Sequence, residues 1–402
     1  MSSFNKFIVL VCIYFSQGLP YGFFTKALPA IMRDMGASLP QIGIASFLAL
    51  PWALKFLWAP LVDKYGSNRF GRKKTWILAL QGIGVLLFLG LGLSPHFEGY
   101  AYLMVGFLVA NLVAATQDIA SDGLAVLLLD PSERGLGNGI QVAGYRLGMV
   151  FGGGFILMYF PVLHWKGSFL TIAAVLALVS LPLFKAREPQ PKVDIEETSL
   201  VLILKNFFTR KGIWGWLFVI CFYKFGDAMA SAMLTPYLKD RGLTLGDIGR
   251  LEGLIGVSCG LAGAMIGGYL VRFLGRYRAV VCFGLFQAST VMCYFLFSRG
   301  LLPDGWLPFL IGVEYFSGGT ATVAIFTVMM DICRPETGAT DYTVQASLVV
   351  VTTILSGFIA GNLAGLFGYQ INFLSSSLLC LLGVLLFAIR FRSAHAGKEF
   401  VL

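Results

Sequence analysis

Charge is what this 402-residue chain has least of: only 13% of its residues are Asp, Glu, Lys or Arg, against about 25% in an ordinary soluble domain. So few charges exclude a water-soluble fold. Histidine is almost as scarce, with His96, His164 and His395 all in joints or the tail. There is no HExxH and no GxxxxGKS or GxxxxGKT, so zinc-dependent hydrolysis and ATP-driven pumping lack their residues. The seven cysteines (Cys12, Cys221, Cys259, Cys282, Cys293, Cys333 and Cys380) include no CxxC pair and read as small packing residues, not as metal or redox centres. Period-two alternation is missing from the apolar runs, which argues against a β-barrel. Long extramembrane segments are missing too, which speaks against a receptor, a scaffold, or a membrane transferase carrying a loop motif.

What is present is apolar. Hydrophobic residues make up 57% of the chain, and 48 glycines suit close helix packing in lipid. Runs long enough to cross a bilayer core, roughly 20 residues each, fall near 7–32, 41–62, 75–95, 100–129, 140–160 and 168–184. A second set falls near 214–238, 248–272, 279–298, 307–331, 342–366 and 370–390. The start resembles a signal peptide only superficially. Its apolar stretch continues to Met32 without a small-x-small cleavage site, so it reads as a retained first span.

The cations sort by side. One set of joints holds only Arg33, Lys166, Lys239, Arg241 and Arg299. The other holds Lys64, Arg69, Arg72, Lys73, Lys74, Arg134, Lys185, Arg187, Lys192, Lys205, Arg210, Lys211, Arg272, Arg276, Arg278 and Arg334. The positive-inside rule makes that richer side, and both termini, cytoplasmic. The net charge of +9 is then a matter of topology. Spread over several short loops, it gives no reason to expect a nucleic-acid partner.

The chain repeats itself. Leu28-Pro29 and the stretch from Arg33-Asp34-Met35-Gly36 to Gln41-Ile42-Gly43 recur as Thr235-Pro236 and Lys239-Asp240-Arg241-Gly242 to Asp247-Ile248-Gly249. The basic joint from Asp63-Lys64 to Gly71-Arg72-Lys73-Lys74 recurs as Arg272 through Gly275-Arg276-Tyr277-Arg278. Two landmarks in the same order argue for duplication. The division expected is an N-terminal six-helix bundle at 1–184, a cytoplasmic linker at 185–213, a C-terminal six-helix bundle at 214–392 and a tail at 393–402. Within the linker, Leu200 to Phe208 fits a short amphipathic helix on the membrane surface.

Parallel six-helix halves are the plan of the major facilitator superfamily, and the basic joint after span 2 resembles that superfamily's signature loop. In it an acid, here Asp63, and cations such as Arg72 and Lys73, with Arg272 and Arg276 in the repeat, tie the inner ends together as a conformational gate. Lys55 to Asp63, Gln117 to Asp122, Gly144 to Gly148, Tyr223 to Asp227 and Phe283 to Gln287 resemble the AmpG-like permease branch. That branch holds inner-membrane importers of anhydromuropeptides, siderophore importers and eukaryotic acetyl-coenzyme A carriers. Many of its muropeptide permeases carry extra hydrophobic helices after span 12, and this chain stops soon after Arg390-Phe391-Arg392. The compact form favours a siderophore as solute, with an anhydromuropeptide next.

Ionisable groups inside spans are functional candidates, because a buried charge needs a partner or a watery cavity. This chain offers Lys26, Lys55, Asp118, Asp122, Arg146, Lys224, Asp227, Glu252 and Glu314, with Asp331 near a span's end. Asp118 and Asp122 share a face of span 4. Either one of them titrates during transport, with Arg146 partnering one carboxylate, or they form a fixed structural bridge. Lys224 and Asp227, three apart on span 7, can pair within one helix. The corresponding part of span 1 is polar but uncharged, around Gln17 and Tyr21, an asymmetry that suits a solute with unlike ends. Asp227 and Glu314 are the leading proton-coupling candidates, followed by Asp118 and Asp122. Lys26 either attracts an anionic solute or snorkels to the interface, and Lys55, before the Trp58-Ala59-Pro60 kink, has the reach to pair with an acid on a neighbouring span. Tyr14, Tyr21, Tyr145, Tyr223 and Tyr315 lie at depths where a phenol can meet a ring-bearing solute or simply pack.

The expectation is therefore an all-α membrane protein of twelve spans in two pseudo-symmetric bundles. It would be a monomeric secondary transporter of a small-molecule solute in the inner membrane, with no cofactor and the proton as coupling ion. Import by alternating access, the halves rocking about a central site, is favoured over efflux of an amphiphile and over a membrane-embedded transferase.

Overall fold

A computed structural model describes residues 3–28, 50–67, 69–94, 100–186, 188–189 and 199–391. Part of the expected second span, most of the first copy of the repeated segment, Arg33, Lys192 and the tail lie outside the described residues, as do the side chains of Lys26 and Lys185. Among the described residues the fold is helical and contains no strand, only an isolated bridge between Ser67 and Gly71.

The helices are α1 (Ser3–Gly22), α2 (Leu50–Leu54), α3 (Ala59–Lys64), α4 (Arg72–Leu93), α5 (Tyr100–Leu128), α6 (Arg134–Met149) and α7 (Ile156–Lys185). They continue with α8 (Leu200–Phe208), α9 (Ile213–Asp240), α10 (Leu245–Ile248), α11 (Val257–Leu274), α12 (Arg276–Ser298), α13 (Leu307–Ile332) and α14 (Gly338–Arg390). Wide π-helical turns continue α1 through Phe23–Ala27, join α6 to α7 at Val150–Phe155 and lead into α11 at Gly249–Gly256.

Among the described residues seven helices are long and apolar enough to cross a membrane, and two of these, Arg134–Phe184 and Gly338–Arg390, of 51 and 53 residues, hold two crossings each. At about 1.5 Å per residue a 53-residue rod would run about 80 Å, far beyond a hydrocarbon core of about 30 Å. The interruptions fall where crossings must divide: at His164 (φ 48°, ψ −167°) in α7 and at Gly368 (φ 83°, ψ 165°) in α14. Helices α1 and α5 occupy the first and fourth expected crossings. The described part of the second is broken, with a 3-10 turn at Lys55–Leu57 and Pro60 opening α3.

Helix α1 runs through Gly18-Leu19-Pro20. The proline removes one backbone donor inside the helix. Helix α1 packs closely on α6 and the turn that follows it: Gly18 abuts the Tyr145 carbonyl, Gly22 the Met149 carbonyl, Gly148 the Phe15 carbonyl and Gly152 the Leu19 carbonyl, with no room for a Cβ at any of them. Small residues at a helix seam are the usual means of tight association in lipid.

The chain forms two compact units. The first gathers Met1–Asp130, Ile140–Lys205 and Cys333–Ser347; the second gathers Pro131–Gly139, Asn206–Ile332 and Leu348–Leu402. The first unit is centred on an aromatic cluster of Phe23, Phe24, Phe88, Phe107 and Phe169, edged by Trp165. The second has a comparable cluster of Tyr237, Tyr294, Phe297 and Phe373 with Leu234 and Ile311. Such rings bury large areas and set the rigid frame on which polar groups are held.

Candidate functional site

In the first unit the break between α2 and α3 turns Lys55 inward, where it is buried and its Nζ is paired with Asp118 Oδ2 on α5. The same ammonium lies 5.5 Å from the centroid of the Trp52 ring. Asp122, one turn along the same face of α5, accepts from the Tyr14 hydroxyl (2.8 Å) and from Gln141 Nε2 (3.1 Å). Gln141 also reaches the Tyr342 hydroxyl at 3.4 Å. Lys55 thus reaches an acid on a neighbouring span, as its place before the kink suggested, and Arg146 lies half-buried on α6. Lys55, Tyr14, Gln141 and Tyr342 complete a polar network around two carboxylates at a depth where each charge needs a partner.

Beside that network stands an aromatic wall. Tyr21 lies 5.3 Å from Trp52 and 5.6 Å from Tyr145, centroid to centroid, and both tyrosines are partly exposed. Trp52 is steadied by its indole N–H donating to Asn111 Oδ1 at 3.2 Å. Gln17 is fully buried, and neither of its amide atoms has a hydrogen-bond partner among the described residues. The side chain of Lys26 lies outside the described residues.

In the second unit Lys224 and Asp227 pair within one turn of α9, Nζ to Oδ2 at 2.6 Å, and Lys224 also donates to Thr322 Oγ1 on α13 at 3.0 Å. Glu314 on α13 is buried and accepts a long hydrogen bond from the Tyr294 hydroxyl, 3.4 Å. Tyr315 donates to Glu252 Oε2 at 3.4 Å, and Glu252 also receives the Thr235 hydroxyl at 2.8 Å. Tyr223, offered from the sequence as a solute-binding ring, is placed elsewhere: it is buried, with its hydroxyl donating to the Val280 carbonyl at 3.0 Å. Its ring fills the space above Gly284. It is a packing residue of α9 against α12.

The gate candidates form two different constructions. In the first unit, buried Asp63 accepts from the Thr340 amide (2.7 Å), the Thr340 hydroxyl (2.6 Å), the Ala339 amide (3.3 Å) and Lys73 Nζ (2.5 Å). The carboxylate faces the amino end of α14, where unpaired N–H groups and the helix dipole favour an anion. Arg72 is nearly buried in the same joint. In the second unit, Asp331 is held between Arg134 (2.8 Å) and Arg276 (2.8 Å), and Arg276 also donates to the Pro131 carbonyl. Arg272 is exposed and stands apart from this cluster.

Next to Lys73 a carboxylate from the linker closes the first unit's basic joint. Glu188 accepts the backbone N–H of Lys73 (3.2 Å) and of Lys74 (2.8 Å), capping α4. Lys74 Nζ in turn donates to the carbonyls of Phe184 (2.9 Å) and Ala186 (2.8 Å), at the end of α7. Burial pushes the Glu188 carboxyl above its ordinary value, against the opposing pull of those amides. Charge drew attention to Asp63 and the cations. Gln141, Tyr342 and Gln287 carried no such mark, although a polar residue inside an apolar run is itself a signal.

A family model described as the Major Facilitator Superfamily matches residues 10–350. The chain is 30% identical over 386 residues to the anhydromuropeptide permease of Escherichia coli (strain K12), covering 94% of this chain and 78% of that one. It is 31% identical over 399 residues to an uncharacterized protein of Haemophilus influenzae, with 94% and 93% covered. Among solved structures, the human organic anion transporter MFSD10 matches with a TM-score of 0.76 at 16% identity, covering 96% of this chain and 100% of that one. A likeness at that identity carries the fold alone.

Proposed function

Because the chain belongs to the major facilitator superfamily, in its AmpG-like branch, we propose that it is a proton-coupled importer of anhydromuropeptides, working by alternating access in the inner membrane. The observation that carries the coupling is a pair of ion pairs within the spans, the buried Lys55 with Asp118 and the partly buried Lys224 with Asp227. Ion pairs at such depth are poor stabilisers compared with apolar residues of the same size, since desolvation offsets most of the attraction. Their presence is accounted for by work that needs charge.

Lys224 and Asp227 are suited to exchanging partners. A proton arriving on Asp227 removes the charge that holds Lys224, and the freed ammonium then meets an anionic group of the solute. Loss of the proton on the other side restores the pair and releases the solute. Glu314, buried on α13, is the second carboxylate available to the coupling ion. The aromatic wall of Tyr21, Trp52 and Tyr145 offers apolar faces for a sugar ring. No cofactor and no catalysis are required. The choice of an anhydromuropeptide over a siderophore rests on the likeness to the Escherichia coli permease along 94% of this chain.

The test is uptake into proteoliposomes of a labelled anhydromuropeptide and a labelled ferric siderophore, each with and without an inward proton gradient. The wild type should accumulate the first solute only under the gradient. Asp227→Asn should lose gradient-driven accumulation while still exchanging labelled for unlabelled solute. Accumulation of the siderophore instead would replace the solute; accumulation indifferent to the gradient would remove proton coupling.

A further inference from the structure

Gln287 belongs to α12 and is 1% exposed, yet its Nε2 has no hydrogen-bond partner among the described residues. Leaving a buried donor unpaired costs about 1–3 kcal/mol, so an orphan of this kind calls for an explanation. The donor faces a gap made by a glycine. A Cβ placed on Gly318 of α13 would lie 3.4 Å from Gln287 Nε2 and 3.8 Å from Asp227 Oδ1, so both atoms look onto the same spot. Asp227 commits its other oxygen, Oδ2, to Lys224. Gly318 itself is partly exposed, so the spot can be reached.

We propose that the gap over Gly318 is a subsite for a secondary amide of the transported solute, with Gln287 donating to its carbonyl oxygen and Asp227 Oδ1, which can accept whether or not Oδ2 carries the coupling proton, accepting its N–H. A donor and a carboxylate acceptor side by side are the complement of a –CO–NH– group. A free amine offers nothing for the Gln287 donor and brings a second cation beside Lys224. A hydroxyl, a single atom, satisfies the two less well than a group that presents acceptor and donor on separate atoms. The inference rests on the reading of the chain as a transporter and names the part of the solute that this unit recognises: an acylamino group or a peptide bond.

The experiment uses the purified full-length protein in detergent and two variants. Gly318→Ala adds a methyl that meets only ordinary contact distances, and Gln287→Leu removes the amide at similar volume. Thermal unfolding is followed with N-acetylglucosamine, glucosamine or glucose at high millimolar concentration, probes that assume nothing about the natural solute. N-Acetylglucosamine alone should raise the wild-type melting temperature, and both variants should lose that shift. In parallel, the affinity for a labelled anhydromuropeptide should fall about tenfold or more in each variant, equivalent to about 1.4 kcal/mol. No shift with the wild type, an equal shift with glucose, or a shift that survives in both variants would overturn the amide subsite. An N-acetyl-specific shift in a protein that fails to bind the anhydromuropeptide would keep the subsite and reject that solute.

Discussion

At the scale of single residues, two of the charge pairs are made in different ways that charge spacing alone does not determine. Asp118 takes Lys55 from a different helix, whereas Asp227 takes Lys224 from its own. Removing one member of a buried pair strands the other, a loss of about 3–5 kcal/mol, while removing both is far milder. Lys55→Met and Asp118→Leu should therefore each lower the melting temperature sharply, and the double variant should melt above either single one. Equal or additive losses in the double variant would show that the pair is not the unit that matters. The sequence exposed these acids and bases by their rarity in apolar runs. It did not expose Gln141 or Tyr342, because an uncharged polar side chain becomes conspicuous only when its neighbours are known.

At the scale of elements, reciprocal capping ties the amino end of α4 to the carboxyl end of α7. Glu188 accepts two amides of α4, and Lys74 donates to two carbonyls at the end of α7. The Glu188 carboxyl is raised above its ordinary value of 4.5 by burial. A raised folded value means that the group adds stability below its unfolded value and that this contribution disappears as pH rises through the folded value. Glu188→Gln should match the wild type near pH 4 and be at least as stable near pH 7, roughly two to three units above the ordinary glutamate range. Melting curves across that interval check the sign; a gap between the two proteins that does not change with pH would contradict it.

The apolar runs gave most helices to within a few residues, because a crossing of lipid leaves little freedom in length. Proline and glycine were poorer guides. Pro20 lies inside α1, and the glycines along that helix, α6 and the turn after it meet their neighbours too closely for a Cβ. The placement of 131–139 in the second unit and 333–347 in the first had no sequence signature at all, because which neighbour a helix end packs against is decided by tertiary contacts such as those of Asp63 with Thr340.

At the scale of the whole molecule, the cation-rich joints predict that both termini face the cytoplasm. Single cysteines placed at position 2 and in the joint at 299–306, in a background without the natural seven, test this with an impermeant thiol reagent on intact cells. The joint should react and the amino terminus should not until the membrane is opened; the reverse pattern would invert the topology. The interruptions in α7 and α14 share a positive φ and a near-extended ψ, at His164 and at Gly368. Glycine takes that conformation freely, whereas a residue with a side chain bears about 1–3 kcal/mol of strain. The exposed histidine thus holds a corner that glycine would hold without that cost, so that the wider fold, not local preference, dictates the path of the chain there.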